Sequence, residues 1–180
     1  DAAPVPLQII GPPGTNRLVD GLLAFMAASA EIRMAERPRL PKPSLTIRAE
    51  ELDPVDVFTD GRVKVTAIEN THYHLAPEWA ARNKSYSFRF ESKGRTIVFT
   101  GDTGPGEKLV EFARDADVLV AEMITPADIK SVPPQIVKHM IAEHLTATDL
   151  GKLAQQARVR TLVLSHVRSV APSDIAEIRK

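Results

Sequence analysis

Apolar residues recur at helical spacing along 18–34, through Leu18, Leu22, Phe25, Met26 and Ala30, and predict a helix there. Before it, 7–10 is a short apolar run, a predicted strand that enters the breaker Gly11-Pro12-Pro13-Gly14-Thr15. Thr15 or Asn16 is placed to cap the helix, and the Pro-rich stretch 37–43 stops it. The period then changes to two. Segments 44–49 and 63–68 alternate like half-buried strands, with Asp60-Gly61 as a turn between segments. Segment 85–91 alternates again and sets Tyr86, Phe88 and Phe90 on one face. Lys93-Gly94 is a hairpin turn, and 96–100 is the returning strand.

The last third of the chain alternates helix with strand. A helix is expected over 107–114 and a buried strand over 118–121. Thr146-x-x-Asp149 reads as a capping box opening a helix to Ala157. A second buried strand is expected over 161–165. Pro172-Ser173-Asp174 opens a final helix that runs to the end of the chain. Antiparallel strands followed by helix–strand units predict a mixed α/β layered fold.

Composition narrows the chemistry. At 180 residues the chain is long enough for one domain with a sizeable core. Formal net charge is zero, so no global field favours nucleic acid or an anionic membrane. Cysteine is absent, which excludes disulfides and thiolate zinc sites; any transition-metal site must use His, Asp and Glu. That usage suits the cytoplasm and is compatible with the periplasm. No apolar run approaches the roughly 20 residues needed to span a bilayer.

All five histidines fall in three short places, each near a predicted element end. Asp102 follows a strand at once, in Gly101-Asp102-Thr103-Gly104. Its carboxylate can project from the strand end, or it can form an Asx-turn capping the next helix. His166 ends the strand 161–165, where a lone His is commonly structural. His72 and His74 lie beyond the strand 63–68 and can form a pair on one face of extended chain, or remain solvated. Glu122 closes the strand before it, and His144 precedes the capping box; an acid and a His so placed can pair for proton transfer. His139 has no evident partner and reads as structural. Gly11-Pro12-Pro13-Gly14-Thr15 lacks the Lys-Ser/Thr of a phosphate loop.

The order of these features is more specific than any one of them. A His follows a strand, a hairpin ends in Gly-Asp-Thr-Gly, and Ala116-Asp117-Val118-Leu119-Val120-Ala121-Glu122 comes next. His144-Leu145-Thr146 then precedes a helix, and Leu162-Val163-Leu164-Ser165-His166 closes the series. This arrangement resembles the metallo-β-lactamase superfamily, in particular its ribonuclease Z and arylsulfatase-like branch. The resemblance implies a four-layer αββα sandwich, incomplete at the N-terminus, with residues 1–180 as one partial domain. It implies that His72, Asp102 and His166 are metal ligands, with Asp102 bridging two ions and His74 a lower-ranked alternative to His72. It implies that Glu122 and His144 assist proton transfer.

The activity so implied is hydrolysis by a hydroxide activated between two zinc ions about 3.5–4 Å apart, with Mn2+ or Fe2+ as alternative metals. The resemblance also shows two departures. The superfamily's His-x-His-x-Asp-His is absent from these residues, and its usual place is upstream of Asp1; the expectation is a missing N-terminal half. Only a loop and one hairpin separate His72 from Asp102, where a ribonuclease Z commonly carries a tRNA-gripping arm, and Val167-Arg168-Ser169 stands in place of a Ser-Arg-Tyr signature. The expected substrate is therefore a small ester, phosphodiester or sulfate rather than a nucleic acid, in a protein compatible with a homodimer. The alternative is a non-catalytic binding or assembly protein with a degenerate fold of the same kind.

Overall fold

A computed structural model describes residues 5–52, 56–168 and 170–180. Asp1 and Ser169, both used above, lie outside the described residues. The chain divides into two compact units, Asp1–Asp53 and Pro54–Lys180.

In the first unit, β1 (Leu7–Gly11) pairs in parallel with β2 (Ile47–Glu51), and α1 (Thr15–Glu36) and α2 (Pro43–Thr46) lie between them in sequence. Neither Thr15 nor Asn16 caps α1. Gly14 is its N-cap, in the left-handed conformation, and the start of the helix is served instead by a carboxylate from the neighbouring strand. Glu51 Oε1 accepts from the Gly14 and Asn16 amides at 2.9 and 3.1 Å. A carboxylate beside unpaired helical N–H groups supplies both hydrogen bonds and the favourable dipole sign. The expected strand over 44–49 is corrected: Pro43 begins a helical turn to Thr46, and extended chain starts only at Ile47.

The second unit is built on a six-stranded sheet in sequence order: β3 (Asp56–Thr59), β4 (Lys64–Glu69), β5 (Tyr86–Ser92), β6 (Arg95–Phe99), β7 (Val118–Glu122) and β8 (Thr161–Ser165). Its first four strands are antiparallel neighbours; β6, β7 and β8 are parallel. The meander is tightened at Lys93 and Gly94, both at positive φ, 48° and 71°, as a two-residue hairpin requires. The parallel strands are joined by helical crossovers: α4 (Glu107–Ala113) between β6 and β7, then α5 (Pro126–Ser131), α6 (Pro134–Glu143) and α7 (Ala147–Gln156) before β8. The short α3 (Pro77–Ala80) follows β4, and α8 (Pro172–Ile178) follows β8.

One face of this sheet forms the core. Val98, Leu119 and Ala121 pack with Leu109 and Ala113 of α4 and with Leu150 and Leu153 of α7. Truncating a fully buried leucine such as Leu119 or Leu150 typically costs about 2–5 kcal/mol. The capping box is present: Thr146 Oγ1 and Asp149 satisfy each other's amides at the start of α7. By register, Phe88, Phe90, Ile97, Phe99, Val120 and Val163 share the other face, where Phe90, Ile97, Phe99 and Val163 are exposed. The expectation that 161–165 is a buried strand is thus corrected; its residues alternate between exposed and half-buried.

Strand direction places the site. Because β4 is antiparallel to β5 and β5 to β6, strands β4, β6, β7 and β8 all point the same way. Their C-terminal ends therefore lie along one edge of the sheet, where ligands gather in open α/β sheets. Among the described residues no helix is long and apolar enough to cross a membrane.

Candidate metal centre

The edge formed by these four strand ends carries His72 after β4, Asp102 after β6, Glu122 at the end of β7 and His166 after β8. His144 joins them as the residue after α6. The loops are tied to each other. Asn70 Nδ2 donates to the Thr100 carbonyl at 3.0 Å, and Thr71 Oγ1 donates to the Gly104 carbonyl at 3.0 Å. Asn70 Oδ1 also accepts from the His72 amide at 3.2 Å. The loops bearing His72 and Asp102 are in this way locked before any ligand is considered.

His72, Asp102 and His144 each offer a ligand atom within 4.8 Å of the other two, and all three are half-buried. The His72 and His144 rings stand edge to face with centroids 5.1 Å apart. His166 joins through Asp102: its Nδ1 lies 2.7 Å from Asp102 Oδ1. His166 has a positive φ of 51°, a conformation uncommon outside glycine, so the strand ends in a turn that aims the ring back at Asp102. Asp102 does not cap the next helix, since α4 begins at Gly106 with no side-chain cap.

A common pattern fixes the ring nitrogens. His72 Nδ1 donates to the Glu143 main-chain carbonyl at 3.2 Å. His144 Nδ1 donates to Glu122 Oε1 at 3.2 Å, and His166 Nδ1 donates to Asp102. Each acceptor is a carbonyl or carboxylate oxygen, so each Nδ1 carries hydrogen. Each Nε2 is then the nitrogen left to meet a cation or a substrate atom, the usual role of outer-shell acceptors.

Glu122 is buried, and burial pushes its carboxyl above the ordinary glutamate range; the nearby Asp102 charge adds to this. The Leu145 amide at 2.9 Å, the Thr103 amide at 3.4 Å and His144 favour its charged form and oppose that rise. The carboxylate is thus held in place from three sides, with His144 as its side-chain partner among the described residues.

His74 does not join the group. Its Nδ1 lies 3.3 Å from Glu143 Oε1, while His139 Nε2 lies 3.0 Å from Glu143 Oε2. His72 and His74 thus part company, one to the Glu143 main chain and the other to its side chain. His139, read above as having no partner, has one in the next helical turn. Glu143 was not singled out from sequence, and no local signal marks it: its role depends on α6 docking against loop 70–76. The membership of His144 in the mutual-distance group was also not expected, since its sequence position suggested only pairing with Glu122.

The donor set is two imidazoles and a carboxylate, with a third imidazole attached to that carboxylate. Nitrogen and oxygen donors of this kind suit Zn2+, Mn2+ or Fe2+. The Asp102–His166 pair carries a geometric condition. Two atoms bound about 2.0–2.1 Å from one tetrahedral ion stand roughly 3.3 Å apart. Asp102 Oδ1 and His166 Nδ1 are closer than that, at 2.7 Å, so this pair is a hydrogen bond as it stands and His166 would ligate through its other nitrogen.

A family profile described as the Beta-lactamase superfamily domain matches residues 7–167. The chain belongs to this superfamily. Within it, a ribonuclease Z of Mycobacterium tuberculosis is 31% identical over 172 residues, covering 95% of this chain and 60% of that protein. The chain's matches to proteins named ribonuclease Z place it in the ribonuclease Z-like branch of that superfamily. The human short-form tRNase Z structure matches with a TM-score of 0.56 and 22% identity, over 89% of this chain and 60% of that one. The metallo-beta-lactamase fold protein YhfI of Bacillus subtilis matches with a TM-score of 0.58 and 18% identity, over 97% of this chain and 57% of that one. These two likenesses concern the fold, and they agree with the α/β class read from the sequence. The chain spans about three fifths of the length of these relatives.

Proposed function

We propose that this chain carries part of the active site of a metal-dependent phosphodiester hydrolase. The observation that carries the reading is the convergence of His72, Asp102 and His144 within 4.8 Å, with buried Glu122 fixed to His144. His72, Asp102 and His166 would hold the metal, and Asp102 is the residue able to bridge two ions because a carboxylate has two oxygens to offer. Such ions, when bound, activate water near neutral pH and offset charge on the phosphoryl oxygens.

The chain's own residues supply the rest. His144 Nδ1–H is held by Glu122, so Nε2 is directed toward the group of ligand atoms. Glu122 keeps the His144 ring oriented, as a carboxylate does for a general acid. In the balanced reaction a water oxygen bonds to phosphorus and the bond to the leaving oxygen breaks. One proton from water leaves to solvent, His144 Nε2–H delivers one to the leaving oxygen, and His144 regains a proton from solvent. Asn70 and Thr71 hold the loops in register while this happens.

Phosphodiester is preferred over carboxylic ester or sulfate because the mycobacterial relatives are named ribonuclease Z, and RNA is a phosphodiester. Neutral net charge and the short stretch between His72 and Asp102 favour a small substrate. The relatives' name pulls the other way, so RNA is an arm of the test. The intact protein is loaded with Zn2+ and assayed on bis(p-nitrophenyl) phosphate, a small RNA, p-nitrophenyl acetate and p-nitrophenyl sulfate. Hydrolysis of a phosphodiester, lost in Asp102→Ala together with bound metal, is the expected result. Stoichiometric metal with no phosphodiester cleavage would sink the reading.

A second reading of His144 has its own support. It lies within ligand distance of His72 and Asp102, whereas His166 reaches the group only through Asp102. In that reading His144 is a metal ligand and Glu122 its outer partner.

A further inference from the structure

A cavity of about 240 Å3 lies beside the centre. Ile124, Val132 and Met140 form its apolar wall; its polar lining is His144, His166 and Arg168 together with Glu122, Asp128 and Ser131. His72 and Asp102 do not line it. Glu122, His144 and His166 are the residues that the cavity shares with the centre. A group that receives a proton from His144 has this space for its substituent.

Size and lining define what fits. Pockets for drug-sized ligands usually run from roughly 300 to 1,000 Å3, so this one takes a single ring rather than a chain. A branched aliphatic wall with a polarizable thioether suits the face and edge of an aromatic ring. Arg168 supplies a positive charge at the rim. Its Nη1 is 3.8 Å from Asp128 Oδ1, too long for a hydrogen bond. Asp128 spends its other oxygen on the Thr125 amide and hydroxyl at 2.9 and 2.7 Å, in the cap of α5. Among the described residues Arg168 has no other ion-pair partner within 4 Å. Its guanidinium is exposed, loosely tethered and open to an anion.

Resting on the phosphodiester reading, we propose that this cavity is the leaving-group subsite, taking a planar aromatic ring carried on the departing oxygen. Arg168 meets the anionic phosphoryl oxygen as the ring seats against Met140, Ile124 and Val132. The ring can be a simple aryl group or the base of a nucleoside, and the two sources are separable.

The test uses the intact, Zn2+-loaded protein with Arg168→Ala, Arg168→Lys and Met140→Trp. Bis(p-nitrophenyl) phosphate supplies an aryl leaving group, a uridine dinucleotide supplies a nucleoside, and p-nitrophenyl acetate supplies a neutral ester. Arg168→Ala should raise KM for the diesters roughly tenfold or more, the worth of one charge-assisted contact, and leave KM for the acetate unchanged. Arg168→Lys should restore most of the loss. Met140→Trp fills the cavity and should weaken product inhibition by p-nitrophenol roughly tenfold. A matching change with the dinucleotide assigns the base as occupant; a change with the aryl substrate alone assigns the aryl group.

Unchanged KM and unchanged p-nitrophenol inhibition in both Arg168→Ala and Met140→Trp would overturn the subsite while leaving the phosphodiester reading intact. If the wild type cleaves no diester, calorimetry with p-nitrophenyl phosphate decides separately. Binding weakened by Arg168→Ala retains the subsite without that reading, and no binding removes it.

Discussion

His72 Nδ1 donates to the main-chain carbonyl of Glu143 at 3.2 Å. The bond is made to the backbone, so the tautomer of His72 is set by the position of α6 and survives changes to the Glu143 side chain. Glu143→Gln should therefore leave zinc affinity within a few fold, although the contacts to His74 and His139 weaken. His72→Ala should lower it by more than roughly 100-fold, beyond the usual effect of losing an outer-shell partner. Competition with a chromogenic chelator on the intact protein measures both. Equal losses in the two variants would mean that the Glu143 side chain positions the metal.

The two readings of His144 give different metal counts. If His144 is the proton donor, His144→Ala keeps bound zinc at the wild-type level and lowers kcat by roughly 10²–10⁴, while His166→Ala loses metal. If His144 is a ligand, its removal loses metal as well. Zinc per chain by atomic absorption, measured alongside kcat, separates them.

Gly104 has no room for a side chain. A Cβ there would sit 2.0 Å from the Ala142 carbonyl oxygen, which is backbone and cannot swing aside. Gly104→Ala must push α6 from the loop carrying Asp102, at a cost of about 1–3 kcal/mol or more. Urea unfolding should show a lower midpoint, and activity should fall together with it, because α6 also positions His72 and His144.

Acid stability should depend on Asp117. The Thr96 amide donates to it at 2.8 Å, with Arg95 and Arg160 at 3.3 and 3.2 Å, and this holds its carboxyl below the ordinary aspartate range. A carboxyl that releases its proton more readily when folded stabilises the fold above its unfolded pKa, about 3.9. The contribution disappears as pH falls through the lowered folded value. Asp117→Asn should therefore lie below wild type in thermal midpoint at pH 6, and the gap should close at strongly acid pH. A gap independent of pH would attribute the effect to shape instead.

The sequence was most legible where local chemistry and tertiary structure agree. The Lys93-Gly94 hairpin, the Thr146–Asp149 capping box and the strand before Glu122 are each specified within a few residues, and each stands where it was expected. Elements that depend on distant partners were harder. The start of α1 is served by Glu51, which is 37 residues from Gly14, so the local candidates Thr15 and Asn16 misled. β8 reads as apolar and buried, yet among the described residues it is the last strand of its sheet, with exposed positions. α5 and α6 escaped notice because prolines that elsewhere mark breaks here open helices.

For the site, the strand-end positions of Asp102, Glu122 and His166 could be read directly, since a change from apolar run to acid or His is visible locally. That Asp102 meets His166 across 64 residues, and that Glu143 holds His74 and His139, depends on sheet order and helix docking. No local pattern encodes either. The resemblance in motif order supplied the grouping that local reading left open.

The order in which the strands occur along the chain has a consequence during synthesis. Asp102 emerges from the ribosome well before His166, and the sheet gains β8 only after α5, α6 and α7 have been made. The Asp102–His166 contact therefore forms only after β8 has been made.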